Sequence, residues 1–401
     1  MKLCFWENSY LHAAQTVLMA MNKRVVLFLV VVIVVSIIAS ALLVQNTFST
    51  NENANAAPPS VYVGVDLAYG NLAAVESQIN QMSHYINLVV LGSTGITYSS
   101  QLNSVCQFMY DKGLYFILYT EGPPSRQWLQ NALSSWGNHF LGLYAFDEPG
   151  GRQLDQTKGE MTFKYASNYT DAAATYNAVM TSALGNVAGN FGDGTSPALF
   201  TSDYVLYWFD YKAGYDTLFA ELGWNYSKQL NIDLVRGAAE VQNRSWGVMI
   251  DYTYTAPPYI ESAPDLYGDM MLAYDSGAKY ILVFDSNPTW TGSILDQQHL
   301  NAMQQFWAYM QANPQPSNSP QNRTAFVLPA DYGYGFRGPT DKIWGLWQAD
   351  NFTLQLCGNL SSALQQCGSK LDIIYDDPAF PNYSCDYGKL IFWNGTVTGG
   401  G

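Results

Sequence analysis

The chain is short of charge. Asp, Glu, Lys and Arg make up only 12% of its 401 residues, about half the share usual in globular proteins. The shortage falls on the cations: 18 Lys and Arg stand against 32 Asp and Glu, a formal net charge of −14. A chain this poor in positive charge is not expected to bind nucleic acid or other phosphate-rich partners. Cysteine and histidine are scarce as well. Cys4, Cys106, Cys357, Cys367 and Cys385 are spread along the sequence, as are His12, His84, His139 and His299. No His/Cys ligand cluster exists, so no metal is expected. No G-x-G-x-x-G or GK[ST] loop follows the first strand, so no nucleotide and no cofactor is expected either.

What the chain has instead is apolar and aromatic surface. Hydrophobic residues make up 48% and aromatics 15%, with 29 Tyr and 11 Trp. That is enough to bury a large core and excludes simple disorder. The length fits one large domain plus a small one. The polar balance is Asn, Gln, Ser and Thr, which suits a surface outside the cell.

Residues 25–44 form one apolar run, VVLFLVVVIVVSIIASALLV, with no charge and only two serines. As a helix this run would span about 30 Å, the thickness of a bilayer core. Lys23 and Arg24 precede it, and the next cation is Lys112. The positive-inside rule then predicts a single-pass protein of the cell membrane, with residues 1–24 cytoplasmic and the bulk extracellular. Ala39-Ser40-Ala41 offers a rival reading as a signal-peptidase site. The run continues through Val44, which favours a retained anchor. Residues 45–60 are Asn-, Ala- and Pro-rich and read as a flexible stalk. Eight Asn-x-Ser/Thr sequons, from Asn168 to Asn394, all follow the anchor, as a glycoprotein requires. Cys106 reads as a core thiol on a helix. Cys357, Cys367 and Cys385 lie close enough in sequence for one disulfide, with the pairing open.

From residue 61 a short apolar strand followed by a helical stretch recurs eight times. The expected strands are 61–65, 88–91, 115–119, 141–146, 198–201, 217–220, 247–250 and 280–284. They lack clean alternation, as parallel strands covered on both faces do. Eight such units over residues 61–312 predict an α/β fold, a (β/α)8 TIM barrel. A Pro/Ser/Asn-rich linker, 313–321, ends it. Residues 322–401 predict a small α/β module, in which Arg337 and residues 344–347 are expected to form an interdomain packing patch rather than to close over the barrel mouth.

Scarce as charge is, acids gather where the strands end: Asp66, Glu121, Asp147 and Glu148, Asp203, Glu221, Asp251 and Asp285. In a barrel these ends meet at the face that carries catalysis. Any one of them alone is equally a turn or cap residue. Together, with no metal cluster and no nucleophile triad, they point to glycoside cleavage, which needs one protonated and one ionised carboxyl. Crowding and desolvation can drive two acids to those different states. Tyr69, Trp208, Trp224, Tyr252, Tyr254 and Trp290 are candidate platforms for a sugar ring. In Phe146-Asp147-Glu148-Pro149, strand alternation lets one acid face the mouth, and Pro149 is expected to keep Glu148 extended. The two glycines that follow, Gly150 and Gly151, would let the backbone turn. Glu148 is read as acid/base and Asp147 as its support, with the reverse also open. Glu221 and Asp251 compete for the second carboxylate, Glu221 narrowly ahead.

A fourth strand ending in Asp-Glu-Pro within eight such units resembles the (β/α)8 glycoside hydrolase superfamily. That resemblance implies a proton donor at the end of the fourth strand and a carbohydrate substrate. The stretches TSDYVLYWFDY, FAELGWN, APPYIES and YGYGFRGPTDKIWGLW are also similar to uncharacterised archaeal hydrolase-like barrel proteins. The chain departs from the best-known clan of that superfamily. Where the clan has Asn-Glu on the fourth strand and Glu on the seventh, this sequence has Asp147-Glu148 and Asp251. The alternative reading is a catalytically silent barrel that binds carbohydrate or builds the cell envelope.

Overall fold

The structure, a computed structural model, describes residues 58–122, 124–156, 161–189, 196–224, 226–315 and 320–399. The expected cytoplasmic segment, the anchor and the stalk up to residue 57 lie outside the described residues. Within those residues no helix is long and apolar enough to cross a membrane.

The chain runs β1 (Tyr62–Asp66), α1 (Leu72–Met82), β2 (Leu88–Leu91), α2 (Thr94–Thr97), α3 (Leu102–Asp111), β3 (Tyr115–Thr120) and α4 (Arg126–Trp136). It continues β4 (Phe140–Ala145), α5 (Pro149–Asp155), α6 (Tyr169–Ala188), β5 (Ala198–Asp203), α7 (Tyr207–Ala213), β6 (Thr217–Leu222) and α8 (Lys228–Val241). Then come β7 (Ser245–Ile250), α9 (Ala263–Asp275), β8 (Tyr280–Phe284) and α10 (Gln297–Ala312). Strands β1 to β8 pair in sequence order and close into a barrel, β1 against β8, all parallel. The eight expected strands are all present, each within two residues of its predicted ends. The longer helices start where the sequence supplies a side-chain acceptor. Asn71, Ser125, Asn168, Ser227, Ser262 and Asp296 each accept a backbone N–H of their helix's first turn, satisfying donors that the helix itself cannot.

Alternate residues of each strand turn inward. The barrel interior is filled by Tyr62, Leu88, Val90, Tyr115, Ile117, Tyr144, Phe200, Phe219, Met249, Tyr280 and Leu282. The Tyr62 and Tyr280 rings stack at 4.9 Å, so the lower barrel is plugged with aromatic side chains. The residues between them face outward into the larger core beneath the helices.

The C-terminal part comprises β9 (Thr324–Leu328), α11 (Asn351–Cys367), β10 (Leu371–Tyr375), α12 (Tyr383–Asp386), β11 (Lys389–Phe392) and β12 (Val397–Gly399). Its sheet order is β10-β9-β11-β12, with only β12 antiparallel. Strand β10 lies directly on α8. A Cβ on Gly237 would come 2.4 Å from the Ile373 carbonyl oxygen, so only glycine permits that approach. Beside it Arg236, 2% exposed, bonds Asp233 of its own helix at 3.1 Å and Asp372 of β10 at 2.6 Å.

Trp208 was expected at the sugar site. It is buried instead on α7, with its Nε1 donating to Asp377 at 3.0 Å and its ring against Tyr375 and Phe380. There the ring is out of water while its N–H keeps an acceptor, as a buried Trp requires. Trp344 packs on Phe209 at 4.6 Å, and Arg337 bonds Asp155 and Asp341, so this stretch is a packing surface. The expected disulfide does not form: Cys357, Cys367 and Cys385 are free thiols, as is the buried Cys106. Cys357 and Cys367 stand ten residues apart on α11, about 15 Å along a helix axis, far beyond bridging distance.

Candidate active site

The C-terminal end of the barrel opens into a cavity of about 680 Å³. Among the described residues six carboxyl groups line it, those of Asp66, Glu121, Asp147, Glu148, Glu221 and Asp251, and no Lys, Arg or His does. Parity explains most of this. Asp66 shares the inward register of Tyr62, Glu121 that of Tyr115 and Ile117, Glu221 that of Phe219, and Asp251 that of Met249. Asp203 and Asp285 have the opposite register, one residue past the inward Ser202 and Phe284, and do not line the cavity. Both are wholly buried and spend their oxygens on neighbouring loops. Asp285 accepts from Gln78, Ser293 and the Ile294 and Leu295 N–H groups. Asp203 accepts from the Gly150 and Gly151 N–H groups at 2.5 and 3.0 Å. Their expected role in substrate binding is therefore corrected to loop and helix anchoring.

The turn after β4 departs from expectation in a way that enlarges the site. Glu148 is not extended: it sits at φ 48°, ψ 51° as the residue before α5, and Phe146 has φ 58°. Two left-handed residues break the strand's alternation, so Asp147 and Glu148 both reach the cavity. Such residues are strained and persist only where their surroundings over-determine them. Here β5 does so. Thr201 Oγ1 donates to the Phe146 carbonyl at 2.5 Å, the Ser202 carbonyl accepts the Glu148 N–H at 3.2 Å, and Asp203 caps α5. Gly150 and Gly151 lie inside α5. They are required for close approach rather than for turning: a Cβ on Gly151 would lie 2.2 Å from the Tyr204 ring.

Six acids in a half-desolvated cup cannot all stay charged. Burial pushes the Glu148 carboxyl up to about 7. Asp147 and Asp251 add repulsion, and the charge of Arg152 pulls it partway back. Burial also lifts Asp251 to about 7, against the pull of the Tyr252 N–H on Oδ1 at 2.6 Å. Burial drives Glu221 well above the carboxylate range, with Glu148, Asp251 and Asp147 adding to it. Asp66 is raised for the same first reason, and its Oδ1 has no hydrogen-bond partner. Asp147 is raised by burial and drawn back by Tyr144, Arg152 and Ser202.

The walls are aromatic. Trp224 and Tyr252 meet edge to face at 6.1 Å, Tyr252 meets Phe284 at 5.4 Å, and Trp290, 54% exposed, leans on Phe284 at the rim. Tyr254 lines a separate shallow cleft that shares Trp224 with the cup. Tyr69 is buried outside the cavity lining. Sequence reasoning missed Tyr119, Tyr144 and Ser202, which line the cup. Strand parity would have found them, because each is an inward residue near the end of its strand. Among the described residues no group of three or more His, Cys, Asp and Glu is arranged to hold a metal ion.

No protein family model and no curated protein sequence matches the chain. Solved structures do. One is a beta-galactosidase from the Antarctic haloarchaeon Halorubrum lacusprofundi, 9% identical, with a TM-score of 0.51 over 83% of this chain and 69% of that one. Another is alpha-L-fucosidase isoenzyme 2 from Paenibacillus thiaminolyticus, 12% identical, with a TM-score of 0.40 over 82% of this chain and 59% of that one. A third is 3-keto-L-gulonate-6-phosphate decarboxylase from Vibrio cholerae, 10% identical, with a TM-score of 0.33 over 63% of this chain and 99% of that one. At 9% identity the likeness to the galactosidase carries the fold alone: this chain is a (β/α)8 barrel.

Proposed function

We propose that the protein is a glycoside hydrolase, with Glu148 as proton donor and Glu221 as the second carboxylate. One observation carries the reading. Glu148, with its acidity shifted to about 7, and the buried carboxyl of Glu221, which it repels, line the same aromatic-walled cup. A group with that acidity gives up a proton near neutral pH, as a leaving glycosidic oxygen needs. Among the described residues no cation lines the cup to neutralise an acidic sugar, so we take its substrate to be a neutral glycan. Asp251, equally inside, is the alternative second carboxylate. Asp147 supports the pair. Asp66 and Glu121 are left to hydrogen-bond sugar hydroxyls, and Trp224, Tyr252 and Trp290 to stack on ring faces.

The proposal includes a single-pass anchor at residues 25–44 with the barrel outside the cell. The uncharged run and the lack of Lys or Arg between it and Lys112 support this. Protease digestion of intact cells should remove the barrel.

A panel of neutral oligosaccharides, with product analysis, tests the chemistry. The wild type should cleave at least one member. Glu148→Gln and Glu221→Gln should each lose roughly 10²-fold or more of that rate, with circular dichroism unchanged. Binding without cleavage by the wild type would instead establish the catalytically silent carbohydrate-binding barrel.

A further inference from the structure

Four oxygen atoms form a continuous chain through the cup, linking the acid at the end of β4 to the acid on β6. Tyr144 Oη lies 2.6 Å from Asp147 Oδ1 and 2.7 Å from Ser202 Oγ, and Ser202 Oγ lies 2.6 Å from Glu221 Oε1. The Ser202 N–H also donates to Tyr144 Oη at 3.0 Å, fixing the phenol in place. Each of the three links is short enough to require a hydrogen between its oxygens. The two hydroxyls supply two hydrogens. If both carboxyls were ionised, Tyr144 would give its proton to Asp147 and Ser202 would give its own to Glu221. The 2.7 Å contact between the hydroxyls would then hold two facing lone pairs and no proton. If both carboxyls were protonated, the fourth hydrogen would have to sit on a carboxyl's second oxygen, outside the chain. The chain closes with one carboxyl proton.

We infer that Asp147 and Glu221 hold a single proton in common, passed between them through Tyr144 and Ser202. When Glu221 gives its proton to Ser202 Oγ, the Ser202 proton moves to Tyr144 Oη and the Tyr144 proton moves to Asp147 Oδ1. Three O–H bonds break, three form, and the chain keeps a charge of −1 throughout. Glu221 is then ionised and Asp147 neutral, with no solvent proton exchanged. Tyr144 and Ser202 are positioning residues that decide which acid carries the charge. The charged and titratable groups facing the chain are Asp66, Glu121, Glu148, Asp251, Arg152, Tyr119, Tyr207 and Tyr215. All but Arg152 and the three tyrosines are acids. They disfavour a second negative charge on the chain.

Only the catalytic use of this relay rests on the proposed hydrolysis. Its test needs no sugar, so the two stand or fall separately. The carboxylic-acid C=O stretch of the full chain, read by infrared difference spectroscopy at neutral pH, counts the protons. An amide at either end can itself donate the third hydrogen. Asp147→Asn and Glu221→Gln should therefore each lose one carboxylic-acid band, and the double variant should also lose one. Two independently protonated acids would lose one, one and two; a lone protonated Glu221 would lose none, one and one. Either pattern overturns the inference, as does no loss at all. In a Tyr144→Phe/Ser202→Ala background, where the chain is cut, Asp147→Asn should no longer change the Glu221 band. A change that persists there also overturns it.

Discussion

Glu148 enters the cup at φ 48°, a backbone state that costs a non-glycine residue roughly 1–3 kcal/mol. The strain gives the acid a position that an extended strand end would deny it, beside Asp147 rather than opposite it. Its raised acidity sets a pH dependence. A proton donor must hold its proton, so the Glu148-dependent rate should be full below about 7 and fall as pH rises through about 7. A pH profile of kcat/KM on any cleaved glycan checks this, and a descending limb that lies far from neutrality would remove Glu148 as donor. Residue by residue, much of the cup was legible from the acids that end the strands, but not all of it. Asp203 and Asp285 end strands too, yet the period of two turns them outward. That register is written in the sequence, since Phe200 and Ser202 face in and Asp203 therefore faces out. The left-handed turn at Phe146 and Glu148 is not written there. Pro149 argues for extended backbone, and only the contacts from β5 reverse it.

At the scale of elements, α5 owes its place to β5. Asp203 accepts the first free N–H groups of that helix. Asp203→Ala would leave four buried donors, the N–H groups of Gly150, Gly151, Tyr204 and Val205, without that acceptor. Each such donor costs about 1–3 kcal/mol, a large share of the stability of an ordinary domain. Thermal unfolding should show the loss. Any rate surviving in the folded fraction should fall further, because the turn that carries Glu148 loses its clamp. Asp203→Asn, which keeps one acceptor, should recover part of both. The barrel elements were readable from apolar runs and helix caps, which are local signals. The seating of the C-terminal sheet was not, because the pairing of Arg236 with Asp372 joins residues 136 apart.

For the molecule as a whole, the raised acids fix how stability follows pH. Burial lifts Asp210 to about 8, and it lifts Asp269 to about 8 as well. Asp203, Asp66 and Glu221 are raised too. Unfolded, such groups lose their protons from about pH 4 upward; folded, they keep them until much higher pH. Their contribution is therefore complete in acid and is lost as pH rises toward 8. The helix-capping Asp296 and Asp350, held below their ordinary range first by backbone N–H groups, act oppositely and lose their contribution in strong acid. The melting temperature should accordingly be several degrees higher at mildly acidic pH than at about 8, and Asp210→Asn should flatten the upper part of that curve. A melting temperature that climbs steadily to about pH 8 would contradict the burial of these acids.

The seating of β10 on α8 bears on how the protein could be shortened. The helices beneath the C-terminal sheet are α7 and α8, which follow β5 and β6, the strands that bring Ser202 and Glu221 to the cup. Cut away the last eighty or so residues, and Arg236 would lose Asp372 while Trp208 and the backbone of Gly237 met water. The staves of the barrel that would loosen first are the ones carrying half the chemistry. The tail is therefore a buttress for the reaction centre, and a trimmed barrel would give out from that side.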